Sequence, residues 1–203
     1  MQTVSGLYDN HTDARAAVSA LEAAGISSDK ISIVGRDGDG RDNNAGEGAA
    51  AGAGIGAAVG GTGGLLAGLG MLAIPGVGPV VAAGWLAATA AGAVAGAVAG
   101  GAAGGIIGSL TKEGIDEDDA HVYAEGVRRG STLVSARVED DEIEVAQAII
   151  EDHSPVDLDT RRASYRDAGW ERFDGSLPDY TDEDVLNERN RLRGVEVPGG
   201  RAL

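Results

Sequence analysis

The N-terminal part of the chain alternates short apolar runs with one longer amphipathic stretch. Thr3–Tyr8 predicts a strand, and Asn10 then stands as the N-cap of a helix. The apolar residues of that helix recur at helical spacing, namely Ala14, Ala17, Val18 and Leu21. The β-branched run Lys30–Val34 predicts a second strand. Residues 1–47 are therefore expected to form a strand, a helix and a strand.

A second set of elements is predicted over residues 112–160. The acids Asp116–Asp119 favour the start of a helix that ends near residue 129, and Ser131–Val138 predicts a strand. The next helix begins at Glu139–Asp141 and carries an apolar face made of Ile143, Ala146 and Ile150. Val156–Asp159 predicts a short final strand. This part is therefore expected to read helix, strand, helix, strand.

Together the two parts predict one α+β domain. Two strand–helix–strand units form a ferredoxin-like split βαβ sandwich, with four antiparallel strands and helices on one face. The helix at 116–129 is then an additional connecting element. Residues 48–111 are an insertion between the two halves. Residues 161–203 form a polar C-terminal tail that packs either on the sandwich or on a partner.

The inserted segment contains no charged residue and repeats glycine every four positions. Residues four apart lie on one face of an α-helix, so the repeat predicts two helical arms, about 50–73 and 80–110, joined by a turn at Pro75–Pro79. A strip without side chains lets another helix approach closely. The predicted helix-packing face consists of Gly52, Gly56, Gly60, Gly64, Gly68, Gly84, Ala88, Gly92, Gly96, Gly100, Gly104 and Gly108.

The glycine-zipper segment has three possible interpretations. Glycine costs about 1 kcal/mol relative to alanine in an aqueous helix, so the arms need lipid or close helical packing. At 1.5 Å per residue both arms exceed the roughly 30 Å of a bilayer, which favours a hairpin in the cytoplasmic membrane with both termini cytoplasmic. The alternatives are a soluble cytoplasmic homo-oligomer packed through the glycine faces, and a flexible spacer. Trp85 is either an interfacial anchor or core filling.

Charge and composition exclude several classes of function. The chain has 32 acidic and 16 basic residues, a net charge of −16, so it is not expected to bind nucleic acid. It has no cysteine, which excludes disulfides, thiolate metal sites and cysteine catalysis. The first residues lack the basic and apolar profile of a signal peptide, so we expect an intracellular protein.

Candidate catalytic and ligand-binding residues do not emerge from the sequence pattern. His11, His121 and His153 lie in different predicted elements without the spacing of metal ligands. Asp37–Gly40 has the start of a calcium loop, but the later ligand positions hold Arg41 and Gly48. We expect no catalytic residues, no cofactor, no metal and no small-molecule substrate.

Several motifs resemble a known family. VSGLYDNHTDARAAVSALEAAGISSDKISIVG is similar to the opening of the general stress protein 17M-like (heat-induced stress protein) domain, and VYAEGVRRGSTLVSARVEDDE is similar to its second half. The tail GWERFDGSLPDYTDED also resembles the tails of such proteins. The resemblance implies a bacterial stress-response protein without known catalysis. With the hairpin, it predicts a protein that associates with the membrane and self-associates, or alternatively a soluble scaffold or filament.

Overall fold

The computed structural model describes residues 1–36, 70–74, 77–89 and 103–194. Its strands are β1 (Gln2–Tyr8), β2 (Ile31–Gly35), β3 (Gly70–Ile74), β4 (Gly78–Gly84) and β5 (Thr132–Val138). Its helices are α1 (His11–Ala23), α2 (Ala103–Lys112), α3 (Glu117–Arg128), α4 (Ile143–Asp152), α5 (Leu158–Asp167) and α6 (Asp182–Leu192), with a 3-10 turn at Ser28–Lys30. The strands form one antiparallel sheet in the order β1-β5-β2-β4-β3, which confirms the α+β class.

Helices α1 and α3 begin where the sequence indicates, whereas α4 begins at Ile143 and not at Glu139–Asp141. The Asn10 side chain accepts a hydrogen bond from the Thr12 amide at 2.8 Å and caps α1. The Asp116 carboxylate accepts from the amides of Asp118 and Asp119 and caps α3. These bonds satisfy backbone donors that the first helical turn leaves unpaired.

The long-range pairing places β5 between β1 and β2. Ser135 of β5 lies opposite Ser5 on one side and opposite Ser32 on the other. Because α1 connects β1 to β2 while β5 fills the gap between them, these elements form a split βαβ unit. Strands from both predicted halves of the chain therefore share one sheet.

The predicted fourth strand of the ferredoxin-like sandwich, Val156–Asp159, is wrong. The Asp157 side chain accepts from the Thr160 amide at 2.8 Å and caps α5 instead, so the chain turns into a helix at this point. A single strand-like bond remains, because the Val156 amide donates to the Leu7 carbonyl at 2.7 Å. The outer side of β1 is thus an edge of the sheet.

The predicted helical arms are wrong at residues 70–73 and 80–84, which are strands, and right at residues 85–89 and 103–110, which are helical. Gly70–Ile74 and Gly78–Gly84 are strands that pair with each other, and β4 pairs with β2. The strands arise because β2 has a second edge open for pairing, and Val80 and Val81 are β-branched residues that favour a strand. Residues 85–89 and α2 are helical. The remainder of the two arms, 50–69 and 90–102, lies outside the described residues.

Helices cover both faces of the sheet, whereas the sequence predicted helices on one face. α1 and α4 cover a core cluster that includes Leu21, Ile33 and Val134, all fully buried. The opposite face carries a second cluster, with Leu110 of α2, Val127 of α3 and Leu133 of β5. Trp85 is core filling, because only 8% of it is exposed and the Arg137 guanidinium stacks 3.9 Å from its ring centroid.

The predicted polar tail packs back on the domain as far as the structure describes it. Tyr165 and Phe173 are buried, and α5 contacts α3. Arg36, which follows β2, donates to the carbonyls of Tyr180 at 2.6 Å and Val77 at 3.1 Å. One buried guanidinium therefore joins the sheet, the β3–β4 turn and the tail.

Candidate functional site

The predicted helix-packing face divides into a described and an undescribed part. Eight of its members lie outside the described residues, namely Gly52, Gly56, Gly60, Gly64, Gly68, Gly92, Gly96 and Gly100. Of the other four, Gly84 ends β4, Ala88 is exposed in the helical residues 85–89, and Gly104 and Gly108 belong to α2. The structure therefore does not bring these four together on one helix.

Gly84 makes a close backbone approach to a strand and not to a helix. Its φ is +86°, in the left-handed region, and a Cβ added there would lie 2.1 Å from the Ile31 carbonyl oxygen. Ser32 lies opposite it in the β2–β4 ladder. The prediction that Gly84 belongs to a helical face is wrong. Its lack of a side chain allows the left-handed conformation and the close approach to β2 at the end of the β2–β4 ladder.

On α2, the surroundings of the predicted glycine face are described at Gly108, and they differ from those of Gly84. Gly108 is exposed, and an added Cβ would meet no atom within 4 Å among the described residues. Ile106 and Leu110, on the other side of this helix, are 1% and 0% exposed. α2 therefore packs on the domain through its large apolar residues.

Among the described strands, β3 is the outermost on one side of the sheet, and it carries no charged residue. In an antiparallel ladder, alternate residues direct both backbone groups toward the same neighbour. Ser5 and Leu7 of β1 direct their backbone groups away from β5. With that starting point, the registers through β5, β2 and β4 make Gly70, Leu72 and Ile74 the residues of β3 that bond β4. The backbone N–H and C=O groups of Met71 and Ala73 therefore point away from the sheet.

β1 forms the opposite edge and borders a groove of about 430 Å³. The Ser5 carbonyl accepts from the Tyr123 hydroxyl at 3.3 Å, and the Leu7 carbonyl accepts from Val156. Since neither partner is in β5, Ser5 and Leu7 direct their backbone groups outward. Tyr123 of α3 stands on one side of the groove, and Gln147 and Glu151 of α4 stand on the other.

A partly buried ionic cluster joins the end of α3 to the tail helices. Arg129 donates to Glu125 at 2.6 Å and to Glu188 at 3.1 Å, and Glu188 also accepts from Arg191. Nearby, Arg161 donates to both carboxylate oxygens of Asp9, at 2.8 and 2.6 Å. We call Asp9, Glu125, Arg129, Arg161, Glu188 and Arg191 the ionic cluster; its three acids balance its three bases.

The pKa values of the cluster follow from this pairing. Burial alone would raise the pKa of the Asp9 carboxyl, but hydrogen bonds and charge from Arg161 outweigh burial and hold that pKa below its usual value. The same balance lowers the pKa of Glu188, where burial is opposed by Arg191 and Arg129. Burial raises the pKa of the Tyr165 hydroxyl, beside Arg129 and Arg161, to about 12.

The cluster is suited to holding elements together. Charged groups that are already paired and hydrogen-bonded are poor general acids or bases, since their proton affinities lie far from neutral pH. In the described parts of the chain, no three His, Cys, Asp or Glu side chains are grouped as a metal site requires. The histidines remain apart: His121 accepts from Arg172 at 3.0 Å, and His153 lies 2.8 Å from the Ile149 carbonyl.

Neither the ionic cluster nor the identity of the two edge strands was predicted from the sequence. Glu125 and Arg129 are four residues apart on one helix, which is a recognisable pair. Asp9 and Arg161 are separated by 152 residues, so no spacing rule could join them. Among the described helices none is long and apolar enough to cross a bilayer.

A family model matches the N-terminal part of the chain. The model of the heat induced stress protein YflT domain matches residues 3–73, from β1 through β2 to β3. No curated protein and no solved structure matches the chain. The family is not known for an enzymatic activity. The match confirms, over residues 3–73, the resemblance in the motifs, and it suggests a stress-response role.

Proposed function

We propose that this stress protein works by self-association, forming a homo-oligomeric scaffold through the β3 edge. The observation that carries the proposal is the composition of that edge. Proteins normally guard an exposed edge strand with charges, proline or a bulge, and Gly70–Ile74 contains no charged residue and no proline. Met71 and Ala73 direct backbone groups outward, so a strand of a second copy can extend the sheet.

Segment lengths favour this function over insertion in a membrane. Arg36 follows β2 and Gly70 begins β3, so the 33 residues 37–69 start and end at one sheet. A single crossing would place those ends on opposite sides of a bilayer, and two crossings need about 40 residues. Residues 90–102 number only 13, which corresponds to about 20 Å of helix against the roughly 30 Å required.

The net charge of the chain sets the conditions for assembly. A charge of −16 on each copy opposes association at low ionic strength, because unscreened copies repel one another. Salt shortens the range of this repulsion to about 10 Å at 0.1 M. We therefore expect the size of the assembly to increase with salt concentration, in the absence of detergent or lipid.

Proline at position 73 tests the edge. Ala73→Pro removes an outward N–H and leaves the β3–β4 ladder bonds in place, whereas Ala73→Val retains the N–H. Light scattering after size exclusion in high salt should give a large particle for the wild type and Ala73→Val, and a smaller one for Ala73→Pro. Ser5→Pro, on the opposite edge, should assemble as the wild type does.

Two results would contradict the proposal. One is a monomer at high salt without lipid. The other is equal particle size for Ala73→Pro and Ala73→Val when circular dichroism shows both to be folded. If the protein is such a monomer, its flotation with liposomes would support membrane association instead.

A further inference from the structure

The groove beside β1 has the geometry of a site for an added strand. Thr3, Ser5 and Leu7 alternate along the edge, and each directs its backbone groups away from β5. The Val156 amide bonds the Leu7 carbonyl at 2.7 Å, as a paired strand would. The chain then leaves the edge at Asp157 to begin α5, so the position beside Ser5 has no strand among the described residues.

The Ser5 carbonyl is held in a way that a peptide can replace. Its partner is the Tyr123 hydroxyl, at the long distance of 3.3 Å. A backbone N–H of an incoming strand would form a shorter bond, typically about 2.9 Å, and Ser5 would offer its own N–H in return. Exchange of one weak side-chain bond for two backbone bonds favours an occupied edge.

The walls of the groove determine which peptide fits. Apolar side chains from Val4, Ile150 and Leu158 line it, which suits the apolar residues of an extended segment. Its charged lining residues are Glu151 and Asp157, both acids, without a base to balance them. Since strand residues alternate between two faces, a segment that alternates apolar and basic residues directs its basic side chains toward Glu151 on the α4 face and its apolar side chains toward Tyr123 and Leu158 on the other face.

We propose that the β1 edge binds an extended segment of another protein that alternates apolar and basic residues. The groove lies at the opposite edge of the sheet from β3, so this binding site is separate from the self-association surface. A scaffold with both surfaces would gather partner chains as it assembles. The backbone bonds supply affinity for any extended chain, and Glu151 with Asp157 supplies the preference for basic residues.

The first test measures the anisotropy of a fluorescein-labelled peptide of alternating valine and lysine. The full chain should bind this probe at least tenfold more tightly than the matching valine–glutamate peptide. Glu151→Gln should weaken binding of the lysine peptide severalfold. Glu144→Gln, an exposed acid on α4 outside the groove lining, makes the same change in net charge and should not. Equal weakening by both variants would show general attraction to an acidic protein and would overturn the proposal.

The second test addresses the backbone pairing. Ser5→Pro removes the outward N–H and Ser5→Ala retains it, while both remove the hydroxyl that contacts Ser135 at 2.9 Å. Affinity should fall at least fivefold more in Ser5→Pro than in Ser5→Ala. If Ser5→Pro fails to fold, N-methylation of alternate peptide amides replaces it, because only one of the two registers should block binding.

Two further outcomes bear on the occupant. Indifference of binding to the methylation register would refute strand addition. A smaller particle for Ser5→Pro than for Ser5→Ala in the sizing experiment would show that a second copy occupies this edge, which would also refute a foreign peptide as the ligand. Loss of self-association in Ala73→Pro with peptide binding intact would leave this inference standing.

Discussion

Substitution of Gly84 by alanine distinguishes the strand from the helix that the glycine repeat predicts. In a helix, alanine is the better residue by about 1 kcal/mol, so Gly84→Ala would stabilise the protein. In the structure Gly84 has a φ of +86°, and the new Cβ would lie 2.1 Å from the Ile31 carbonyl oxygen. Gly84→Ala should therefore destabilise the protein.

The expected magnitude has two parts. A left-handed conformation costs a residue with a Cβ about 1–2 kcal/mol. Relief of the overlap must push β4 away from β2 at Ser32, and crowding of this kind typically costs about 1–3 kcal/mol. Gly84→Ala is therefore expected to lower the free energy of unfolding by about 2–5 kcal/mol.

Two matched glycines separate these contributions. Gly25 also has a positive φ, +95°, but an added Cβ there meets nothing within 4 Å among the described residues, so Gly25→Ala should cost only about 1–2 kcal/mol. Gly108→Ala, on the exposed side of α2, should stabilise by about 0.5–1 kcal/mol. Urea unfolding followed by circular dichroism measures all three, and Gly84→Ala should shift the midpoint down by about 1–2 M. An unchanged or raised midpoint for Gly84→Ala would refute the strand at this position.

Two predictions concern pH. The pKa values of Asp9 and Glu188 are lower in the folded chain than in the unfolded chain, so the unfolded state binds more protons in acid and the stability should fall below about pH 5. Urea midpoints measured against pH should show a smaller fall for Glu188→Gln than for the wild type. The exposed control Glu183→Gln should show the same fall as the wild type. Burial, followed by the charge of Arg172, lowers the pKa of His121, whereas Glu117 and Asp118 act in the opposite direction. The neutral imidazole therefore contributes its full stabilisation above pH 6.5, and this contribution is lost as the pH falls. Arg172→Gln should raise this pKa in an NMR titration, and a constant or lower value would contradict the assigned cause.

The elements with local signals were predictable from the sequence. Asn10, the alternating run in Lys30–Val34 and the acids before α3 indicate their elements because capping and side-chain periodicity depend on neighbours in the chain. The start of α5 had such a signal as well, because Asp157 is a favourable N-cap. The strand predicted from Val156–Asp159 is wrong at this position.

The parts that depend on distant partners were not predictable in the same way. The glycine period favours a helix for Gly78–Gly84, but pairing with β2 decides the structure of those residues. The ionic cluster requires Asp9 to reach Arg161 and Arg129 to reach Glu188, which come from distant parts of the chain. Each is an ordinary charged residue in its local sequence, and only the fold makes it the partner of another.

The central position of β5 has a consequence for synthesis on the ribosome. β1 finds its ladder partner only at a separation of 130 residues, as at Ser5 and Ser135. At about 5–20 residues per second, translation takes roughly 7–26 s to cover that distance. During this interval β1 has no neighbour to pair with, and the uncharged residues 48–111 emerge before the strand that completes the sheet. A newly made chain therefore carries β1 without its partner in the sheet until β5 has left the ribosome.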